Sequence, residues 1–210
     1  MTSASAWLDI PLDDYEGHMA LPSIGQAAML AEQLALLIVR SAPRSVAVAG
    51  CAGGNGFEVL GPPVERVAAV DINPAYLDAL RVRHGPRLRG LEVHCADIES
   101  PETKFAPVDL IYAGLILEYV DLGAALATFR RNANPGATLA ALIQLPAAGQ
   151  EAVSPSPYES LRKLKHAMHL IAPAALREAA AEAGFLRRDS RTLGLSSGRR
   201  FHLEVFVAPS

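Results

Sequence analysis

The chain has 210 residues, half of them hydrophobic and a fifth charged, with a net charge of −3. That length suits one globular domain with a full core. A slightly acidic chain lacks the basic footprint that nucleic-acid phosphates call for, so a DNA or RNA partner is not expected. The two cysteines, Cys51 and Cys95, sit in segments that read as buried or cofactor-facing. No disulfide framework is expected, and no CxxC or Cys/His cluster reads as a metal site.

Residues 1–20 are mixed and carry Asp9, Asp13, Asp14 and Glu16. They lack a basic start followed by an apolar core, so no signal peptide is expected. No run of about 18 apolar residues occurs, so no membrane span is expected either; the setting reads as cytoplasmic. Residues 22–41 are rich in Ala and Leu and read as an amphipathic helix. Residues 1–43 thus form an N-terminal helical cap.

From Ser45 the chain alternates. A first strand, Ser45–Gly50, runs into a glycine-dense loop, and Gly56–Leu60 reads as the opening of a helix. Arg66–Asp71 is a second strand. A helix over Pro74–His84 follows, with Asn73 as N-cap and Pro74 at its first position. Leu91–Cys95 and Val108–Ala113 are the third and fourth strands. A helix over Asp121–Asn132, the turn Asn134-Pro135-Gly136 and a fifth strand, Ala137–Gln144, complete a core over 44–146. Such alternation with continuous apolar strands predicts a doubly wound parallel sheet, helices on both faces. Beyond it lie a Ser/Pro-rich loop, a helical run to about Gly184 and two strands, Leu186–Leu195 and Arg200–Val207. Their short turn, Ser196-Ser197-Gly198, predicts a hairpin and an antiparallel last strand. The fold class is α/β, and 1–210 reads as a single domain.

Three strand ends carry the chemistry. After the first strand come Gly50, Gly53, Gly54 and Gly56, which let the backbone turn sharply and approach a ligand; a helix start behind them would offer free N–H groups. After the second comes Asp71, placed to accept hydrogen bonds from two ribose hydroxyls. Its plain alternative, an N-cap, is already filled by Asn73. After the third comes Asp97, a carboxylate for an adenine amine, with the Ile98 N–H beside it; a solvated loop acid is the plain alternative.

VAVAGCAGGNG, AVDINPAYL, CADIE and DLIYAGLILEYVD, in this order and spacing, resemble the successive motifs of class I S-adenosylmethionine-dependent methyltransferases. The resemblance covers about residues 45–145. The closing hairpin also resembles the end of that fold, in which a seventh strand inserts antiparallel. It implies S-adenosyl-L-methionine as cofactor and S-adenosyl-L-homocysteine as product. It maps Gly50, Ala52 and Gly54 to the loop against the methionine part, Asp71 to the ribose and Asp97 with Ile98 to adenine. Ala113, Gly114 and Leu115 map to the methyl-transfer edge. Cys51, Asn55 and Ile72 complete the expected cofactor-binding set. The chain departs from the family twice: Val48 stands where an acid is common, and Ala52 replaces the second glycine.

The glycine spacing also resembles short-chain dehydrogenases, which bind nicotinamide dinucleotides. Those enzymes need a Tyr-x-x-x-Lys pair to lower the tyrosine pKa. No tyrosine here is followed four residues later by lysine; Tyr158 has Arg162 there. A third reading is a cofactor-binding protein without activity.

Methyl transfer from a sulfonium needs mainly in-line alignment and exclusion of water. No Asn-Pro-Pro-Tyr or Asp-Pro-Pro-Tyr segment follows the fourth strand, and the small, apolar stretch there fits a small-molecule acceptor better than a flipped base. The acceptor and its reacting atom stay open. Candidate acceptor-side groups are Tyr15, Glu16 and His18 in the cap, Glu118 and Tyr119 after the fourth strand, and Tyr158; Tyr15, His18 and Glu118 are the catalytic candidates. His166 and His169 read as a solvated helix face, with no carboxylate to complete a metal site.

Overall fold

Seven strands form one sheet in the order β3-β2-β1-β4-β5-β7-β6. They are β1 (Ser45–Ala49), β2 (Arg66–Asp71), β3 (Leu91–Cys95), β4 (Val108–Gly114), β5 (Ala133–Gln144), β6 (Leu186–Gly194) and β7 (Arg200–Val207). The structure is a computed structural model that describes residues 3–21, 24–147, 149 and 151–209. The pairings β1–β2, β1–β4, β2–β3 and β4–β5 are parallel, and β7 pairs antiparallel with both β5 and β6. The predicted doubly wound sheet with an antiparallel last strand is the observed one.

The central strands β1, β2, β4 and β5 carry long apolar runs because both their faces are covered, whereas the edge strand β6 is largely charged and exposed. Val46, Val48, Ala69, Leu110, Tyr112 and Leu142 point to one face. There they meet α3 (Gln26–Ser41) and α4 (Pro74–His84) through Leu34, Leu37, Leu77 and Leu80. Ala47, Ala49, Val70, Ile111, Leu139 and Ile143 point to the other. They meet α5 (Leu122–Arg131) and α7 (Pro173–Glu182) through Leu126, Phe129 and Leu176. Two helix starts are fixed by side-chain caps: Asn73 accepts from the Ala75 N–H at 3.0 Å, and Asp121 accepts from the Ala124 N–H at 2.8 Å.

Four sequence expectations change. The helix expected from Gly56–Leu60 is a single 3₁₀ turn, Phe57–Val59. Gly61, Pro62 and Pro63 halt it, because proline lacks the N–H and constrains the residue before it. The crossover from β1 to β2 therefore has no α-helix, and its loop has no helix N-terminus behind it. The helix expected over 22–41 begins at Gln26; residues 22 and 23 lie outside the described residues. The helical run before Gly184 is broken into a 3₁₀ segment Glu159–Lys163, α6 (Leu164–Ala167) and α7, with Pro173 at the first turn of α7. The turn at 134–136 lies within β5, beside a register shift on β4 between Val108 and Leu110.

The N-terminal cap expected over 1–43 divides: α3 covers a face of the sheet instead, and the cap itself is α1 (Ser3–Leu8) and α2 (Leu12–Met19), separated by Pro11. It sits over the carboxyl ends of β1 and β2. The Asn73 amide donates to the Trp7 carbonyl at 3.0 Å, and the Tyr76 hydroxyl donates to the Ile10 carbonyl at 2.9 Å. Arg83 pairs with Glu16 through two hydrogen bonds. Ser160 donates to Asp14 at 2.6 Å, and Lys163 pairs with Asp9 at 2.9 Å. The cap is thus tied to α4 on one side and to the segment after β5 on the other.

Candidate active site

β1 has β2 on one side and β4 on the other, so crossovers leave it in opposite directions. Sheets of this kind leave a crevice at such a switch point, beyond the strands' carboxyl ends. A cleft lies there, with about 1210 Å³ of non-protein space including its open mouth. Its wall takes Gly50 and Ala52 from after β1, Asp71 and Ile72 from β2 and Asp97 and Ile98 from after β3. Gly114 and Leu115 close the row at β4. Both carboxylates border the same cleft, as one nucleoside site requires.

The first loop is held by the second strand. Asp71 Oδ2 accepts from the Ala52 N–H at 2.9 Å, and Oδ1 accepts from the Asn73 N–H at 2.9 Å. Each oxygen keeps a second lone-pair direction for a ligand. Burial raises the Asp71 pKa, while these backbone N–H groups oppose the rise. Ala52 has φ of 46°, a left-handed conformation that disfavours side chains. Glycine takes it freely; here the Asp71 hydrogen bond holds alanine in it. At Gly50, with φ of 65°, an added Cβ would stand 2.7 Å from Ile116. Leu115 is also left-handed, at φ 58°, at the tip of β4. Ala52 and Leu115, both on the cleft wall, are two of the three non-glycine residues with positive φ among the described residues. Such strain gathers where a backbone is shaped for a ligand.

The remaining glycines of the loop serve packing. A Cβ on Gly53 would meet Glu16 and Arg83, and one on Gly54 would meet His84. Gly53 therefore lets the cap dock on the loop, and Gly54 lets α4 do so. Gly54 and Cys51 are buried and do not line the main cleft; Cys51 and the exposed Asn55 border a smaller hollow beside Val48 and Gly56. Ala113 is fully buried in the core on the α5 face: the strand alternation that brings Gly114 to the cleft turns Ala113 away from it. Cys95 is exposed, against the expectation from the sequence, and Cys51 is buried.

The roof is aromatic. Trp7 meets Tyr15 edge-on at 5.7 Å and Tyr119 edge-on at 5.1 Å, and Tyr15 stacks on Tyr76 at 6.2 Å. All four line the cleft. Burial, reinforced by the Asp71 charge, pushes the Tyr15 hydroxyl pKa up, so it stays protonated. His18 also lines the cleft, and burial and then Arg199 push its pKa down. The indole Nε1 of Trp7 and Nδ1 of His18 are buried with no hydrogen-bond partner. Such atoms are uncommon in folded proteins, and both are closed off from the open space of the cleft.

Glu118 is a correction to the sequence expectation. It does not line the cleft. The residue is 1% exposed, and Oε1 accepts from the Gln144 N–H at 2.7 Å while Oε2 has no partner. Its neighbour Gln144 borders the cleft instead. Tyr158 packs against Gly17, where an added Cβ would stand 2.2 Å from its hydroxyl; it pins the cap. Glu16 holds Arg83. His166 and His169 are exposed, and no cluster of possible metal ligands occurs among the described residues. Sequence reasoning missed Trp7, Tyr76, Gln144 and Met168. Only Tyr76 carried a signal, lying in the same motif as Asp71; the rest reach the cleft from distant segments.

This topology, with the cleft across four strand ends, defines the class I S-adenosylmethionine-dependent methyltransferase fold. Residues 48–141 match the family model described as Methyltransferase domain. No curated protein sequence matches the chain. Among solved structures, the N-methyltransferase NodS from Bradyrhizobium japonicum WM9, in complex with S-adenosyl-L-homocysteine, is similar at TM-score 0.73 and 18% identity, over 100% of both chains. Magnesium protoporphyrin IX methyltransferase (ChlM) from Synechocystis PCC 6803, with the same compound bound, is similar at TM-score 0.74 and 11% identity, over 99% of this chain and 97% of that one. The 1,6-didemethyltoxoflavin-N1-methyltransferase of Burkholderia thailandensis is similar at TM-score 0.69 and 16% identity, over 94% of this chain and 84% of that one. At these identities the likeness is one of fold.

Proposed function

We propose that the chain transfers the methyl group of S-adenosylmethionine to a small-molecule acceptor inside this cleft. The observation that carries the reading is that Gly50, Ala52, Asp71, Asp97, Ile98 and Gly114, from four separate strand ends, border one cavity. Asp71 and Asp97 supply acceptors for ribose and adenine, and Ile98 and Ile72 supply apolar walls. Gly50 and Ala52 let the backbone approach the methionine end. The cofactor, when bound, supplies a methyl group already activated on a sulfonium sulfur. The chain's own work is to align the acceptor and keep water out, and the aromatic roof of Trp7, Tyr15 and Tyr119 suits that task.

The whole chain, 1–210, works in this reading as one domain: an N-terminal region over 1–43 that carries the cap, a cofactor core over 44–146 and a substrate side over 147–210. No helix among the described residues is long and apolar enough to cross a membrane. The two unpaired cysteines support a reducing, cytoplasmic setting. The net charge of −3 supports a small-molecule acceptor over a nucleic acid.

Thermal unfolding with added ligands tests the proposal. A ligand at about 100 times its Kd adds roughly 2.7 kcal/mol of stability. S-adenosylhomocysteine is expected to raise Tm, and NAD and NADP to leave it unchanged; the reverse pattern moves the chain to the nicotinamide enzymes. One position favours a second reading, a cofactor-binding protein without turnover: Val48 is apolar where an acid is common. Binding without S-adenosylhomocysteine production from S-adenosylmethionine across a broad acceptor panel selects it.

A further inference from the structure

The strand order sets two halves of the cleft apart. Asp71 ends β2 and Asp97 follows β3, both on one side of β1. The segment after β5 enters from the other side, beyond β4, and brings Val153, Leu161, Leu164 and Met168 to the wall. This wall belongs to a hydrophobic cluster separate from those on the two faces of the sheet. Leu161 and Leu164 are buried with Ile10 of the cap, and Trp7, Tyr119 and Val153 pack on them. Met168 sits just past α6 on a backbone fixed at both sides. Its own N–H donates to the Leu164 carbonyl at 2.9 Å, and the His169 N–H donates to the Glu118 carbonyl at 2.8 Å. A thioether side chain presented this way fits itself around apolar groups and rings.

Fixed charge is absent from this second half. Apart from Asp71 and Asp97, no Lys, Arg, Asp or Glu borders the cleft among the described residues. The charges carried by the segment after β5 are paired in solvent: Lys163 with Asp9 at 2.9 Å and Lys165 with Glu151 at 2.6 Å, all four side chains about half exposed. Arg199 is committed to backbone, donating to the carbonyls of Glu151 at 2.8 Å and Ala152 at 3.1 Å. The polar side chains that do border this half are Gln26, Gln144, Ser154 and His18, and burial and the Arg199 charge favour the neutral His18 ring. A charged group laid against the wall would shed its water and meet no counter-charge, a heavy cost. Apolar surface laid there frees water from both sides, which favours binding.

Resting on the methyltransferase reading, we propose that the segment after β5 selects the methyl acceptor: its wall of Leu161, Leu164 and Met168 admits an uncharged, mostly apolar molecule and rejects ions of either sign. The strand ends then hold the cofactor, while acceptor specificity is set by a segment that meets the cap rather than the sheet. Met168 is the specificity-determining position most open to change, because Leu161 and Leu164 also hold the cap through Ile10.

Calorimetric titration of the S-adenosylhomocysteine-loaded protein at pH 7 tests this with three probes on one frame: 2-naphthol, 2-naphthoate and 2-naphthylmethylammonium. The neutral 2-naphthol is expected to bind roughly tenfold or more tightly than either ion. Met168→Lys puts a cation on the wall; it is expected to tighten 2-naphthoate and to weaken 2-naphthol, each by about fivefold or more. In the wild-type protein, the methyl NMR signal of Met168 is expected to move with 2-naphthol, a readout that stands if the variant folds poorly. Either ion binding as tightly as 2-naphthol, unchanged naphthoate affinity in folded Met168→Lys, an unmoved Met168 signal, or no binding of 2-naphthol overturns the inference. Failure of the wild-type protein to bind S-adenosylhomocysteine in the first place overturns the methyltransferase reading instead.

Discussion

The buried carboxyl of Glu118 makes stability depend on pH in a direction opposite to that of most acids. Burial raises its pKa from the ordinary 4.5 to about 7. The Gln144 N–H bond to Oε1 opposes the rise, but Oε2 is buried with no donor. Between those two pKa values the folded chain holds a proton that the unfolded chain has released. Stability is therefore full below about pH 4.5 and falls as pH rises through 7. At about 1.4 kcal/mol per unit, the loss reaches roughly 3 kcal/mol by pH 8 as an upper bound. Glu118→Gln keeps an oxygen for the Gln144 N–H and cannot ionise. Urea unfolding of both proteins at pH 5, 6, 7 and 8 isolates the effect, because the other titrating groups cancel in the difference. The wild-type chain is expected to lose stability relative to the variant by about 1.5–3 kcal/mol between pH 5 and pH 8. A difference that stays constant over that range would refute the argument that this carboxyl is desolvated and half-satisfied.

Three further outcomes follow from the site and its supports. Asp71→Ala removes the acceptor for the Ala52 and Asn73 N–H groups; it should lower stability by about 1–3 kcal/mol and weaken S-adenosylhomocysteine at least tenfold, and wild-type affinity by calorimetry would dismiss the ribose role. Trp7 is the only tryptophan of the chain and lines the cleft, so its fluorescence should shift on adding S-adenosylhomocysteine; an unchanged spectrum at saturation would place the ligand elsewhere. Gly90→Ala would put a Cβ 1.9 Å from the Glu65 carbonyl oxygen, a backbone contact that cannot rotate away; denaturant unfolding should show a loss of about 3 kcal/mol or more, and a mild effect would mean the β2–β3 edge is easily displaced.

The strand-end wall of the cleft was largely legible because it is local. Gly50, Asp71 and Asp97 each end a strand whose apolar run is visible in the sequence, and parallel neighbours must deliver their carboxyl ends to the same edge. The same logic carried the mostly parallel sheet and the final hairpin. What failed locally was the helix after the glycine loop. Phe57, Val59 and Leu60 resemble its apolar face, yet Gly61-Pro62-Pro63 allow only a 3₁₀ turn. Ala113 was misplaced by one residue of strand alternation, which puts it in the core and Gly114 in the cleft.

The acceptor half was decided by tertiary structure. Trp7 and His18 sit on separate helices of the cap, while Gln144 ends β5 and Met168 follows α6, far along the chain. Their meeting depends on how α1 and α2 dock through the Asn73–Trp7, Tyr76–Ile10 and Asp14–Ser160 hydrogen bonds, contacts with no periodicity to announce them. Strand periodicity and capping are rules about neighbours, and so the amino-acid order alone settled the sheet and the acids at its strand ends. Burial of His18 and isolation of the Glu118 carboxyl are properties of what packs against them, and only the folded chain sets those.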